Sequence, residues 1–274
     1  MLKTLTDVLP AANARGGALI GFVCLGWEDA RAYVEAGEAV GAPVILQVGP
    51  GARSHMPLTA WGPMLRHLGE NASVPVVVHL DHAIDAETCR AAIDAGFTSV
   101  MIDGSRLPFE ENVALTRAAC EIAHGAGISC EGEIGFVGYH HGDVSNPTDP
   151  DEAGRFAQET EVDALAVSVG NVHLQKEAAT RIDRAALTAI ETVVPVPLVL
   201  HGASGLARED RVWAARESRV AKFNLGTELR RTFGNAIRDV LADDAALFDR
   251  NAILSRAATP LRDAAERAVR EVRA

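Results

Sequence analysis

Several apolar runs in this chain stop on residues that bind metals or move protons. VPVVVHLDHA (Val74–Ala83) follows a β-branched run with His79, Asp81 and His82; SVGNVH places His173 just beyond another; and PLVLH closes a third on His201. TSVMID ends on Asp103, GISCEGE on Glu133 and RVAKFN on Asn224. A polar group at the end of a buried run needs a partner, because leaving it unsatisfied costs about 1–3 kcal/mol. A metal ion would serve several such groups at once. Three histidines among carboxylates suit zinc, whose catalytic sites keep three protein ligands and one open position, and oxygen donors at Asp103 and Glu133 would also admit manganese or cobalt. Each histidine alone has a plainer reading as a hydrogen-bonded core residue, and His79, facing away from Leu80, reads as support for the site. For His82, His173 and His201 the spacing alone leaves both readings open.

Holding those residues on one rim requires a particular arrangement of elements. Short β-branched runs alternate with longer Ala-rich amphipathic segments, giving eight predicted strands: Ala18–Cys24, Pro43–Gly49, Val74–Leu80, Thr98–Asp103, Gly127–Glu133, Asp163–Val169, Val196–His201 and Arg219–Asn224. Segments such as WEDARAYVEAGEAV and RIDRAALTAIETV space their apolar residues as helices do. Eight βα units without a linker fit a single α/β domain over residues 1–274, a (β/α)8 TIM barrel. The Gly-x-Gly-x-x-Gly fingerprint of a dinucleotide-binding sheet is missing after the first strand. An N-terminal helix in TLTDVLPAANARG is expected to cover the barrel bottom, and a C-terminal helical tail to be interrupted at Pro260.

Composition narrows the partners. The 274 residues are 48% hydrophobic and carry a formal charge of -11 with no basic cluster, which argues against nucleic acid or an anionic membrane and for a small polar ligand. The N-terminus lacks a signal-peptide core and no apolar run approaches the ~20 residues of a membrane span, so a cytoplasmic protein is expected. Cys24, Cys89, Cys120 and Cys130 show no metal or redox spacing and read as reduced, buried thiols. Two glycine-rich turns, HGASG (His201–Gly205) and NLGTE (Asn224–Glu228), follow the last two predicted strands and precede helices. Barrels often hold phosphate at that place, although tight βα turns use glycine for geometry alone.

The blocks PVILQVGPGA, HLDHAIDAETCRAAIDAGFTSVMIDGS, EGEIGFVG, AVSVGNVH, PLVLHGASGL and KFNLGTEL together resemble the class II, metal-dependent fructose-bisphosphate and tagatose-bisphosphate aldolases, over nearly the whole chain. That resemblance implies a lyase that cleaves and forms a carbon–carbon bond in a ketose (bis)phosphate or related hydroxyketone through a zinc-stabilised enediolate. His82, His173 and His201 would bind zinc, with Asp103 and Glu133 near the metal, and Asp81 would be the general acid/base. Gly202, Ala203 and Ser204, with Asn224, Leu225, Gly226 and Thr227, would bind the phosphate of a dihydroxyacetone-phosphate moiety. A homodimer or homotetramer is expected from the same resemblance.

The chain also departs from the family pattern. Where relatives carry acidic residues on a mobile loop, this one has Tyr139, His140 and His141, with Asp143 displaced. A histidine, with an unperturbed pKa near ~6.5, can replace a carboxylate as the proton shuttle, and His141 lies closest in register. Leu174 replaces the usual Gly, Val23 a polar Asn, and Gly49 a hydroxyl residue, so the pocket is expected to be more apolar or differently shaped. The alternatives are an aldolase for a non-phosphorylated or shorter ketone donor and a non-catalytic subunit that binds metal and sugar phosphate.

Overall fold

The computed structural model describes residues 1–138, 145–172 and 180–273. Eight parallel strands close into a barrel in chain order: β1 Leu19–Val23, β2 Val44–Val48, β3 Val76–Ala83, β4 Ser99–Ile102, β5 Ser129–Ile134, β6 Ala164–Val167, β7 Leu198–Leu200 and β8 Val220–Leu225. β8 pairs back on β1 from Leu19↔Lys222 to Phe22↔Leu225. All eight overlap the predicted runs. Helices α2 Trp27–Val40, α3 Pro50–His55, α4 Leu58–Asn71, α5 Ala86–Asp94, α6 Phe109–Gly125, α7 Pro150–Thr160, α8 Arg184–Val193, α9 Arg208–Glu217 and α10 Thr227–Asp243 lie between and after the strands. Aspartates cap several of them: Asp85, Asp149 and Asp183 each accept backbone N–H bonds at the starts of α5, α7 and α8.

The period of two along a strand sorts its residues between two cores. Outward residues such as Ile20, Phe22, Leu46, Val78 and Leu80 pack against the helices, while Leu19, Ile45, Val77, Ala164, Ala166 and Val199 fill the barrel's lower interior. The barrel bottom is closed, as expected, by α1 Leu5–Asn13, whose Leu5, Val8 and Leu9 pack into that inner cluster. Each side chain so buried stabilises the fold by on the order of 1.5–3 kcal/mol. The Leu5 N–H donates to Ser129 Oγ (2.9 Å), which fixes the plug to β5.

At the other terminus, α11 Arg250–Val272 packs on α2 and α10 and passes Pro260 unbroken, correcting the expected interruption. Pro260 is exposed, so water can satisfy the carbonyl that loses its N–H partner one turn earlier. The four cysteines are buried, and none forms a disulfide. No described helix is long and apolar enough to cross a membrane.

Candidate active site

The site is built around an irregularity in β3. His79 pairs with Ser99 and Leu80 with Val100, but the next pair is Ala83↔Ile102, a register shift typical of a bulge. Simple alternation would point His79 and Asp81 into the barrel and His82 out of it. The bulge re-aims His82, whose φ of 50° lies in the left-handed region that costs a residue with a side chain roughly 1–2 kcal/mol. Arg53, on α3, holds that backbone in place. Its guanidinium donates to the carbonyls of Asp81 (2.6 Å), Val48 (3.2 Å) and His82 (3.0 Å).

Turned inward, His82 places Nδ1 2.8 Å from Asp103 Oδ2 and 3.8 Å from Glu133 Oε2. His201, fully buried at the end of β7, places Nδ1 3.1 Å from the same Glu133 oxygen and Nε2 2.9 Å from Glu131 Oε1. The two imidazoles meet edge to face with centroids 4.7 Å apart. Burial alone would lower the His201 pKa, but its bonds to Glu131 and Glu133 outweigh that and raise it to about 10. His79 behaves oppositely. Burial first, and then the neighbouring Lys222 ammonium, push it down to about 3, so this ring is neutral.

Asp81 faces the same space, and Asn224 Nδ2 donates to its Oδ1 (3.3 Å). Beside it a cavity of about 230 Å³ is lined by Val23, Gly49, Asp81, His82, Arg230 and the two glycine-rich turns. Donor atoms of Asp81, His82 and His201 lie within 4.8 Å of one another, as do those of His82, Asp103 and Glu133. If the imidazoles give up their protons to ligate a cation, the carboxylates of Asp81, Asp103, Glu131 and Glu133 outnumber the Lys222 ammonium set among them. Two imidazole nitrogens, carboxylate oxygens and that surplus of negative charge fit a divalent cation.

The family model described as fructose-bisphosphate aldolase class-II matches residues 3–274. The chain belongs to this family. It is 39% identical over 244 residues to the fructose-bisphosphate aldolase of Geobacillus stearothermophilus, covering 86% of this chain and 83% of that one. It is 35% identical over 278 residues to that of Staphylococcus aureus, covering 98% and 96%. Among solved structures, the YdjI aldolase from Escherichia coli K12 superposes with a TM-score of 0.86 at 28% identity, covering 99% of this chain and 97% of that one. This class II aldolase is therefore a lyase of sugar-phosphate metabolism, and the family implies a divalent metal ion.

In this aldolase the fold brings together Asp81, His82, Asp103, Glu133, His201 and Asn224 from five strands or strand ends. Gly202, Ser204, Gly226 and Thr227 line the cavity, whereas Ala203 and Leu225 bury their side chains in the apolar shell. His173, His140 and His141 lie outside the described residues, as do Tyr139, Asp143 and Leu174. Asn171, two residues before His173, is fully buried and donates to the His201 carbonyl (2.9 Å). Sequence reasoning missed Arg53, Glu131 and Lys222. A signal existed for the last two: Glu131 and Glu133, Lys222 and Asn224, and His79 and Asp81 are each two apart on one strand, the spacing of a polar inner face.

Proposed function

We propose that this aldolase catalyses reversible aldol cleavage of a ketose phosphate, with Asp81 as general acid/base and with zinc held by His82, His173 and His201. The placement of Asp81 carries this reading. Its carboxylate borders the cavity beside the imidazoles, oriented by Asn224. Burial opposes its ionisation, yet the positive fields of His82 and His201 outweigh burial and hold its pKa below the usual carboxylate value. An ionised carboxylate can remove the C4 hydroxyl proton during cleavage and return it to the aldehyde oxygen during condensation. A bound divalent ion supplies Lewis-acid polarisation of the donor carbonyl. Asp103 and Glu133 would hold the imidazoles or offer a second ion position, and His141 or His140 would exchange the proton at the donor carbon.

The phosphate assignment draws on the two turns. Ser204 Oγ accepts from the N–H groups of Gly226 and Glu228 (3.3 Å each), joining both turns at the start of α10, where helix N–H groups favour an anion. Val23 and Gly49 favour a second reading, a shorter or non-phosphorylated ketone donor. A Cβ at Gly49 would lie 3.3 Å from Asp81 Oδ2, so glycine leaves space beside the base, and Val23, on the neighbouring strand, adds an apolar side chain to the lining. A retro-aldol assay across ketose phosphates and their dephosphorylated counterparts separates the two. Preferential cleavage of phosphorylated ketoses is expected; cleavage of the unphosphorylated set alone would select the second reading, and none at all would reject both.

A further inference from the structure

Beneath the site lies a buried polar group that the proposed reaction does not use. Lys222 Nζ is 2.7 Å from Glu131 Oε2, and the other oxygen of that carboxylate is 2.9 Å from His201 Nε2. Lys222 Nζ also lies 3.4 Å from His79 Nε2, and His79 Nδ1 is 2.8 Å from Ser99 Oγ. Lys222, Glu131, His79, Ser99 and His201 are all fully inaccessible to solvent. A buried ion pair is a poor source of stability, since well-packed apolar side chains of similar volume do as well or better. Its presence at the barrel axis needs another reason.

The geometry supplies one. A carboxylate held by an ammonium is ionised and accepts hydrogen bonds only, so the His201 nitrogen facing it must carry the proton. Nδ1 faces Glu133 and the gap toward His82, and if a metal displaces the proton held there, the lone pair falls on that atom. We propose that the Lys222–Glu131 pair is a positioning device that fixes the orientation and tautomer of His201, and thereby the strength and geometry with which this residue holds the metal. The proposal rests on the metal-site reading given above. Lys222 keeps Glu131 ionised and points its second oxygen at His201, while His79, tied to Ser99, packs against the ammonium from the other side. An uncharged amide in place of Glu131 could turn its NH2 toward Nε2 and stabilise the opposite tautomer, with a proton on Nδ1 where the metal should bind.

Three variants test this: Glu131→Gln, Lys222→Met, and the double change Glu131→Leu with Lys222→Met. The readouts are zinc affinity by chelator competition, the visible spectrum of the cobalt-loaded protein, and the melting temperature without metal. Both single variants should bind zinc roughly 10- to 100-fold more weakly, the usual loss when a ligand's outer partner is removed, with an altered cobalt spectrum. The double variant should melt at or above wild type yet keep the weakened zinc binding. A purely structural pair would give the reverse: wild-type zinc affinity and cobalt spectrum in a folded double variant, which would overturn the proposal. Should the double variant not fold, the near-isosteric Glu131→Gln decides by the same two metal readouts. Failure of wild type itself to bind zinc would overturn the metal-site reading and this proposal together; tight binding by wild type and variants alike overturns the positioning role alone.

Discussion

At the scale of single residues, two side chains with similar chemistry are given different work by a one-residue shift. His79 and Asp81 face inward through ordinary alternation, while His82 does so through the bulge and its left-handed backbone. Asp81 borders the metal donors but acts on protons in the proposed reaction. Asp81→Asn should therefore keep zinc content near wild type while kcat falls by roughly 10²- to 10⁴-fold, the span for losing a positioned general acid/base. Solvent-deuterium exchange into the donor should survive that change and slow in the double variant His140→Ala with His141→Ala. An unchanged kcat removes Asp81 from the mechanism; unchanged exchange in the histidine double variant returns that role to another group. The types and positions of Asp81, His82, Asp103, Glu133 and His201 were legible in the sequence because each closes an apolar run. The bulge was not, since no residue type announces a register shift, and Arg53 was hidden because its partners are backbone carbonyls.

At the scale of elements, strand ends supply the reactive groups and loops are tied down around them. Asp210 at the start of α9 is nearly inaccessible and gathers the segment entering α8: it accepts from Arg184 Nη2 (2.6 Å) and the Ile182 N–H (3.2 Å) and pairs with Arg181 (3.1 Å). Burial pushes its pKa up, but these bonds more than offset that, and the net shift is downward. A carboxyl with a depressed folded-state pKa stabilises the fold above its unfolded value near ~4, and that contribution is lost as pH falls through the folded-state value. Asp210→Asn should cost about 1–3 kcal/mol at neutral pH, and the deficit should shrink below roughly pH 4. Denaturant titrations of both proteins across pH check this; a deficit that does not change with pH would leave the charge without a role. Helical segments such as WEDARAYVEAGEAV followed from periodicity, whereas the passage of α11 through Pro260 did not, because a proline on an exposed helical face looks in sequence like a break.

Across the whole molecule, the barrel concentrates charge that the rest of the fold excludes. Its lower interior is apolar and plugged by α1; its upper interior gathers carboxylates and imidazoles around the Lys222 ammonium. The strand order and the closed barrel were legible from eight alternating units, but the Glu131–Lys222 layer read as ordinary strand because its charges lie within apolar runs rather than at their ends. That arrangement makes a divalent ion the last structural element of the site. The most direct test is to strip the protein of metal, confirm its absence by elemental analysis, and follow ketose phosphate cleavage as zinc is added back, with His201→Ala in parallel. The account predicts no turnover without metal, recovery that saturates near one zinc per site, and a His201→Ala protein that neither retains zinc tightly nor recovers. Full turnover by the metal-free wild-type protein would contradict it.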